Sequence, residues 1–246
     1  MTEMPAEPWL SVVMPALDEA AGIANALAPL QPLRGRGCEI LVVDGGSRDA
    51  TVALAAPLCD RVLPSARGRA IQMNTGAAAA RGSVLLFLHA DTRLPEAADG
   101  LIRQALDGGA RSWGRFDVSI AGRSAMLPVV AAMMNLRSRI TGIATGDQAM
   151  FVTRAAFDAV GGFPPIALME DIALSRALRR LGRPASLAAR VVTSGRRWDE
   201  NGAWRTIFLM WRLRAAFFLG ANPDTLSKQY RSRPVPVATA KRRKER

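Results

Sequence analysis

The chain has 246 residues, 33 Lys and Arg against 21 Asp and Glu, and 49% hydrophobic residues. That length suits one large α/β domain with a self-sufficient core, and the composition excludes both a disordered chain and a polytopic membrane protein. Residues 231–246 carry seven Lys or Arg and one Glu, half of the net charge of +12, so the basic excess belongs partly to a tail. No nucleic-acid recognition motif accompanies it, and nucleic acid is not expected as a partner.

Cys38 and Cys59 stand in no metal or redox spacing and read as buried hydrophobes of a reducing compartment. The opening MTEMPAEPWL lacks the basic start and apolar run of a secretory signal. No stretch is a spanning helix; Ile207–Gly220 comes closest and is interrupted by Arg212 and Arg214. A cytoplasmic protein is expected, with a basic tail that touches anionic lipid at the inner face of the membrane or is simply solvated.

In chain order, Leu10–Met14 and Glu39–Val43 are short apolar, β-branched runs that read as buried parallel strands, with a helical segment over Glu19–Leu30 between them. A helix from Ser47 toward Leu58, a strand at Arg61–Leu63 and a helix at Arg69–Ala80 follow, then the strand Ser83–Leu88. The second half is less regular. It predicts helices at Pro95–Leu106 and Asp171–Leu181, strands at Gly114–Ile120, Ala149–Val152 and Ser186–Thr193, and an amphipathic segment at Trp204–Leu219. The alternation predicts a doubly wound, mostly parallel sheet flanked by helices, with its ligand site at the carboxyl ends of the strands. One domain is expected over residues 1–222, and a basic, disordered tail over 223–246.

Four segments carry chemistry. Asp44 ends an apolar strand before two glycines, which suits binding a base or ribose and equally suits an Asx turn or the cap of the next helix. Asp91, in LFLHADT, is a hard oxygen ligand suited to Mg²⁺ or Mn²⁺ on a diphosphate. His89, the one histidine of the chain, stands two positions earlier on the same side of an extended segment; it reads as a ribose or metal contact, or as a hydrogen-bonded structural histidine. Glu170 and Asp171 open a helix, where acids serve as a cap or dipole partner and where a general base also fits. In SGRRWD, the two arginines Arg196 and Arg197 offer charge for a departing diphosphate and Trp198 an apolar platform, or the segment is simply a surface cation–π pair.

The order of SVVMPALDEA, EILVVDGGSRDAT, ARGRAIQMNTGAAAARG, LFLHADT, GDQAMFV, GGFP, MEDIALSRALRRLG and GRRW resembles glycosyltransferase family 2 over roughly residues 9–222. The HADT, GDQAMF and RRW variants resemble a bacterial subgroup labelled arsenosugar-biosynthesis-type. The resemblance implies a Rossmann-like GT-A fold that binds a nucleotide-diphosphate sugar, an inverting, metal-dependent transfer to an acceptor hydroxyl, and Mg²⁺ or Mn²⁺ as cofactor. It implies that Pro15, Leu17 and Glu19 line the base and ribose pocket, that Asp44 reads the base and that Arg69 lies near the diphosphate. Asp91 matches the last acid of the metal motif, with His89 in place of the first. Gly146 and Asp147 fall on the acceptor or diphosphate side, Asp171 matches the catalytic base, and Arg197 and Trp198 match the end of the Gln-x-x-Arg-Trp segment.

Ser194 replaces that segment's first residue, which favours a single-sugar transferase over a processive synthase. Two rivals stand beside this reading. A sugar nucleotidyltransferase would show a glycine-rich basic loop after the first strand, where this chain has PALDEA. A decayed nucleotide- or membrane-binding module would not need Asp44, Asp91 and Asp171 together. Trp204–Leu219 reads either as an interfacial helix that meets a lipid-linked acceptor or as a core-packing helix.

Overall fold

The computed structural model describes residues 7–231. Its first half runs β1 (Leu10–Ala16), α1 (Ile23–Leu27), α2 (Gln31–Gly35), β2 (Glu39–Asp44), α3 (Thr51–Ala55), β3 (Arg61–Pro64), α4 (Arg69–Ala79), β4 (Val84–Phe87), β5 (Thr92–Arg93) and α5 (Ala98–Leu106). The second half runs β6 (Trp113–Ala121), α6 (Leu127–Thr141), β7 (Phe151–Thr153), α7 (Arg154–Ala159), α8 (Glu170–Leu178), β8 (Ala185–Ser194), α9 (Arg196–Asn201), α10 (Ala203–Phe218) and α11 (Pro223–Arg231).

The strands form one eight-stranded sheet in the order β3-β2-β1-β4-β7-β6-β8-β5. Four of the seven pairings are parallel. Residues of β1, β2 and β4 alternate between two cores: Val12, Met14, Ile40, Val42 and Leu86 face one side, Val13, Leu41, Val43, Leu85 and Phe87 the other. Burial on both faces is why these strands read as unbroken apolar runs. Pro15 does not end β1 as the sequence suggests. The pairing of β1 with β4 stops at Val13↔Phe87, so proline, with no N–H to donate, is paired on one side only.

Small residues set the spacing between helix and sheet. A Cβ on Gly76 of α4 would overlap Val13 and Val43, so only glycine lets α4 lie this close to β1 and β2. Gln72, one turn earlier, donates to the carbonyls of Ala16 and Val43 at 2.8 Å each and ties the two strand ends together. Both cysteines are buried, and burial pushes the Cys38 thiol up to about 11, which leaves it unreactive.

Strand β7 sets up the site. It runs antiparallel to β4 and β6, which flank it. Its entry, residues 146–150, therefore arrives beside the exit of β4, residues 88–91, and beside the exits of β6 and β8. The sequence placed the strand but not its direction.

The expected boundary at residue 222 is corrected. Pro223–Arg231 forms a helix whose Leu226 packs with Leu213, Ile172, Met169 and Ile143 in a third core cluster. Residues 232–246 of the expected tail lie outside the described residues. The segment at Trp204–Leu219 is a helix with two faces. Leu213 is fully buried, whereas Phe208 and Trp211 are 63% and 61% exposed and stack edge to face. No helix among the described residues is long and apolar enough to cross a membrane.

Candidate active site

A cleft of about 1220 Å³ opens at the carboxyl edge of the sheet. Glu19, Arg69, His89, Asp91, Gly146, Asp147, Glu170, Asp171, Arg197 and Trp198 all line it. Pro15 and Asp44 stand at the paired ends of β1 and β2 and Leu17 one residue past β1, outside the lining of the cleft. Residues far apart in sequence thus converge because the strands deliver them to one edge.

The loops after β1 and β2 are stapled to each other. Asp18 N–H donates to Ser47 Oγ at 2.9 Å, Glu19 N–H to Thr51 Oγ1 at 2.7 Å, and Arg48 N–H to Asp18 Oδ1 at 2.8 Å. Asp18 adopts φ +53 to make this fit. Glu19 is thereby aimed at the cleft. Desolvation raises its carboxyl above the usual range, with Asp91 and Asp49 adding to the effect and Arg196 and Arg69 opposing it.

Asp44 is buried, and its carboxylate accepts the N–H groups of Gly46 at 3.0 Å and Ser47 at 3.1 Å. This is the Asx turn that the residues left open, and the turn shapes the loop carrying Ser47 and Thr51.

His89 and Asp91 depart from the expected extended placement. Thr92 N–H donates to the His89 carbonyl at 3.1 Å, closing a turn, and His89 pairs not with Asp91 but with Asp147, Nδ1 to Oδ1 at 3.5 Å. A Cβ on Gly146 would lie 2.5 Å from His89 Nε2, so the ring occupies the space a side chain would take. Desolvation works against the Asp147 carboxylate, but His89, Arg69 and Arg214 hold it below its usual range. Asp91 is exposed, and its carboxylate accepts the Thr92 hydroxyl at 3.3 Å and no other donor among the described residues. No group of three metal-binding side chains exists among the described residues. A lone exposed carboxylate still fits Mg²⁺ or Mn²⁺, which take one or two protein carboxylates and complete their shell with phosphate oxygens and water.

Opposite lies the start of α8. The GGFP turn leading there is held by Asn74 of α4, whose amide donates to Phe163 O at 2.8 Å and accepts Phe163 N–H at 2.9 Å. Met169, the residue before the helix, sits at φ +69, a conformation that costs a side-chain-bearing residue of order 1–3 kcal/mol and that recurs at functional sites. Asp171 follows. Its Oδ2 accepts Gly146 N–H at 2.8 Å and its Oδ1 accepts Ile172 N–H at 2.7 Å, which fixes the carboxylate in the cleft. Glu170 is 4% exposed, lies 3.8 Å from Arg69, and holds its proton to higher pH than usual because of burial and the neighbouring Asp171 charge. Arg69, the first residue of α4, is exposed on its open side and is held firmly charged by Glu170, Asp147, Tyr230 and Asp171.

The GRRW segment is helical from Arg196. Trp198 packs against the main core, and Arg197 stacks on Tyr230 of α11 rather than on a neighbouring tryptophan. Arg196, the first of the two arginines in SGRRWD, faces Glu19. Asp199 accepts the N–H groups of Arg123 and Ser124 at 3.0 and 3.2 Å and anchors the turn into α6. Arg137, Arg214 and Tyr230 also line the cleft and were not anticipated. Arg137 falls in no element expected from the sequence, Arg214 in the segment read as interfacial or core-packing, and Tyr230 in the expected tail.

The profile of the family described as "Glycosyl transferase family 2" matches residues 11–150. The uncharacterized protein MT1568 of Mycobacterium tuberculosis (strain CDC 1551 / Oshkosh) is 34% identical over 109 residues, 42% of this chain and 34% of that protein. The matched stretch therefore spans about a third of that relative's length. Among solved structures, the mannosyltransferase PcManGT from Pyrobaculum calidifontis, in complex with GDP-Man and Mn²⁺, superposes with a TM-score of 0.63 at 22% identity, covering 94% of this chain and 67% of that one. Glucosyl-3-phosphoglycerate synthase from Mycobacterium tuberculosis, in complex with Mn²⁺, UDP and glucosyl-3-phosphoglycerate, gives a TM-score of 0.57 at 23% identity, covering 76% and 71%. At these identities the likeness establishes the fold, which is GT-A.

Proposed function

The chain belongs to glycosyl transferase family 2, and from that premise we propose that it moves one hexose from a nucleotide-diphosphate sugar to an acceptor hydroxyl, with inversion and without processivity. The observation that carries this reading is the cleft itself, where Asp91 faces the open side while Asp171 is fixed by Gly146 N–H and Ile172 N–H. A metal-seeking carboxylate and an oriented base in one cleft are what a direct displacement requires.

In the proposed reaction Asp171 takes the proton of the acceptor hydroxyl as its oxygen bonds to the anomeric carbon. The bond to the diphosphate breaks, and its electron pair leaves with the nucleotide. Arg69 and Arg196 face the departing charge, and Gly146 N–H keeps Asp171 aimed at the hydroxyl. Asp91 would hold Mg²⁺ or Mn²⁺, which supplies charge neutralisation on the diphosphate when bound. GDP-Man and UDP in the two superposed structures support a donor of the nucleotide-hexose class.

The reading extends to location. The chain is proposed to work in the cytoplasm, at the inner face of the membrane, on a lipid-linked acceptor that meets the exposed Phe208 and Trp211 edge of α10. Liposome sedimentation of the protein with both residues changed to alanine tests this; lipid binding equal to wild type would remove the membrane contact.

The transferase reading itself is tested by thermal shift against UDP, GDP, CDP and dTDP, each with and without Mn²⁺ or Mg²⁺. One nucleotide should stabilise the protein only with metal, and the effect should vanish in Asp91→Ala. No stabilisation by any of the four would refute the donor site.

A further inference from the structure

On the Asp171 side of the cleft two guanidinium groups come in from different helices, Arg137 near the end of α6 and Arg214 near the end of α10. Nε and one terminal nitrogen of Arg137, and Nε of Arg214, are buried and have no hydrogen-bond partner among the described residues. Neither arginine forms an ion pair within 4.0 Å there, although Asp171 lies close enough to be felt by both.

Burial of these nitrogens costs each arginine solvation. Burial and the facing Arg214 charge bring Arg137 down to about 10, and burial lowers Arg214 as well. Two buried like charges with open hydrogen-bond donors are unfavourable until an anion joins them. Guanidinium forks suit one ligand chemistry above others, the paired oxygens of a carboxylate or phosphate.

Arg196 acts on Glu19, which also feels Asp91, and Arg69 is shared between Glu19 and the Glu170–Asp171 pair, whereas Arg137 acts on Asp171 and Arg214 on Asp171 and Asp147. We infer that Arg137 and Arg214 form an oxyanion subsite for the acceptor, which carries a carboxylate or phosphate next to the hydroxyl that receives the sugar. The inference rests on Asp171 being the base. The anion is unchanged by the transfer: the hydroxyl proton goes to Asp171, the new bond forms at the hydroxyl oxygen, and the subsite holds that oxygen in place.

The first arm of the test needs no donor. Inorganic phosphate is titrated into the full-length protein at constant ionic strength and followed by calorimetry, for wild type, Arg137→Gln, Arg214→Gln and Arg214→Lys. Both glutamine variants should weaken phosphate binding about tenfold or more, the range for a lost charge-assisted hydrogen bond, and the lysine variant less. Their melting temperatures should stay level or rise, because an unpaired buried charge has been removed. A fall in melting temperature with unchanged phosphate affinity would mark the arginines as structural and overturn the proposal.

The second arm uses the nucleotide sugar chosen by the thermal-shift screen. Release of nucleoside diphosphate is measured with glycerol, glycerate, glycerol 3-phosphate, and vesicles of phosphatidylglycerol or phosphatidylcholine. Acceleration by the anionic alcohols but not by glycerol, with a higher acceptor KM and unchanged nucleotide affinity in the glutamine variants, supports a soluble acid. Acceleration by phosphatidylglycerol vesicles alone supports a lipid headgroup as the source of the same chemistry. Equal acceleration by uncharged glycerol overturns the subsite. Failure to bind any nucleotide would refute the transferase reading and leave the phosphate result standing.

Discussion

The guanidinium of Arg197 lies 3.9 Å above the ring of Tyr230, joining α9 to α11 across the mouth of the cleft. The same tyrosine feels Arg69, Asp147 and Asp171, and burial raises its hydroxyl pKa. Stacking, packing and charge therefore meet on a residue of the last helix. Tyr230→Phe keeps the platform and should leave stability within ~0.5 kcal/mol. Tyr230→Ala should cost about 1–2 kcal/mol by loss of the cation–π contact and the apolar area. Urea denaturation of the two variants checks this, and equal losses would count against the ring contact.

Gly146 has two tasks, making room for His89 and donating to Asp171. Gly146→Ala should reduce kcat roughly 10- to 100-fold, the scale of a small misplacement of a reacting group. Combining it with His89→Ala removes the clash, so the double variant should be more active than Gly146→Ala alone. A double-mutant cycle with strictly additive losses would mean that the two residues do not compete for space.

Asp171 and Glu170 should part company under mutation. Asp171→Asn should lower kcat by about 10²–10⁴-fold, as for loss of a general base, while nucleotide affinity holds. Glu170 is a buried acid whose folded-state pKa is raised, so its proton is bound more tightly in the fold than in the unfolded chain. Its contribution is complete below the unfolded pKa and erodes as pH rises toward the folded value. Glu170→Gln should therefore raise Tm at pH 7 by ~2–4 °C, the shift that about 1 kcal/mol gives a domain of this size. The gain should disappear near pH 4. Calorimetric scans at the two pH values decide it.

Glu39 has the opposite sign. Desolvation disfavours its charge, but the Ser11 hydroxyl at 2.6 Å, the backbone and side chain of Arg81 at 2.9 and 3.0 Å and Arg61 at 3.0 Å outweigh it and hold the carboxyl low. Such a group stabilises the fold fully above the unfolded pKa of roughly 4.3 and progressively less as pH falls through the folded value. Glu39→Gln should lose about 1–3 kcal/mol at pH 7. As pH falls from the unfolded value through the lowered folded one, the variant and wild type should converge, as acid-titrated Tm measurements would reveal.

The sequence was most readable where burial was complete. The runs at Leu10–Met14 and Glu39–Val43 are apolar at every turn because both sheet faces are covered, and the acids at their exits stand out against them. Asp44 and Asp91 were legible for that reason, and Glu170 and Asp171 as an acid pair opening a helix; Asp91, Glu170 and Asp171 line one cleft. The direction of β7 was not, because a three-residue strand has no period to read and its orientation comes from its neighbours. Arg137 and Arg214 were hidden in amphipathic helices, where an arginine ordinarily lies on a solvated face. Helix α11 was missed because its polar, basic composition resembles a tail, while its order comes from Leu226 reaching a cluster built by α8 and α10.

The antiparallel strand β7 also divides the chain into two kinds of inheritance. The stretch that matches the family, residues 11–150, stops at the entrance of this strand. Asp171, Arg196, Arg197, Arg214 and Tyr230 all come after it. Two relatives alike over the first stretch share strands β1–β6 and their strand-end acids. On the proposed reading a shared acceptor demands likeness over residues 151–231 together with Arg137 and Gly146, so proteins that use the same acceptor are best sought with that later segment and those two positions.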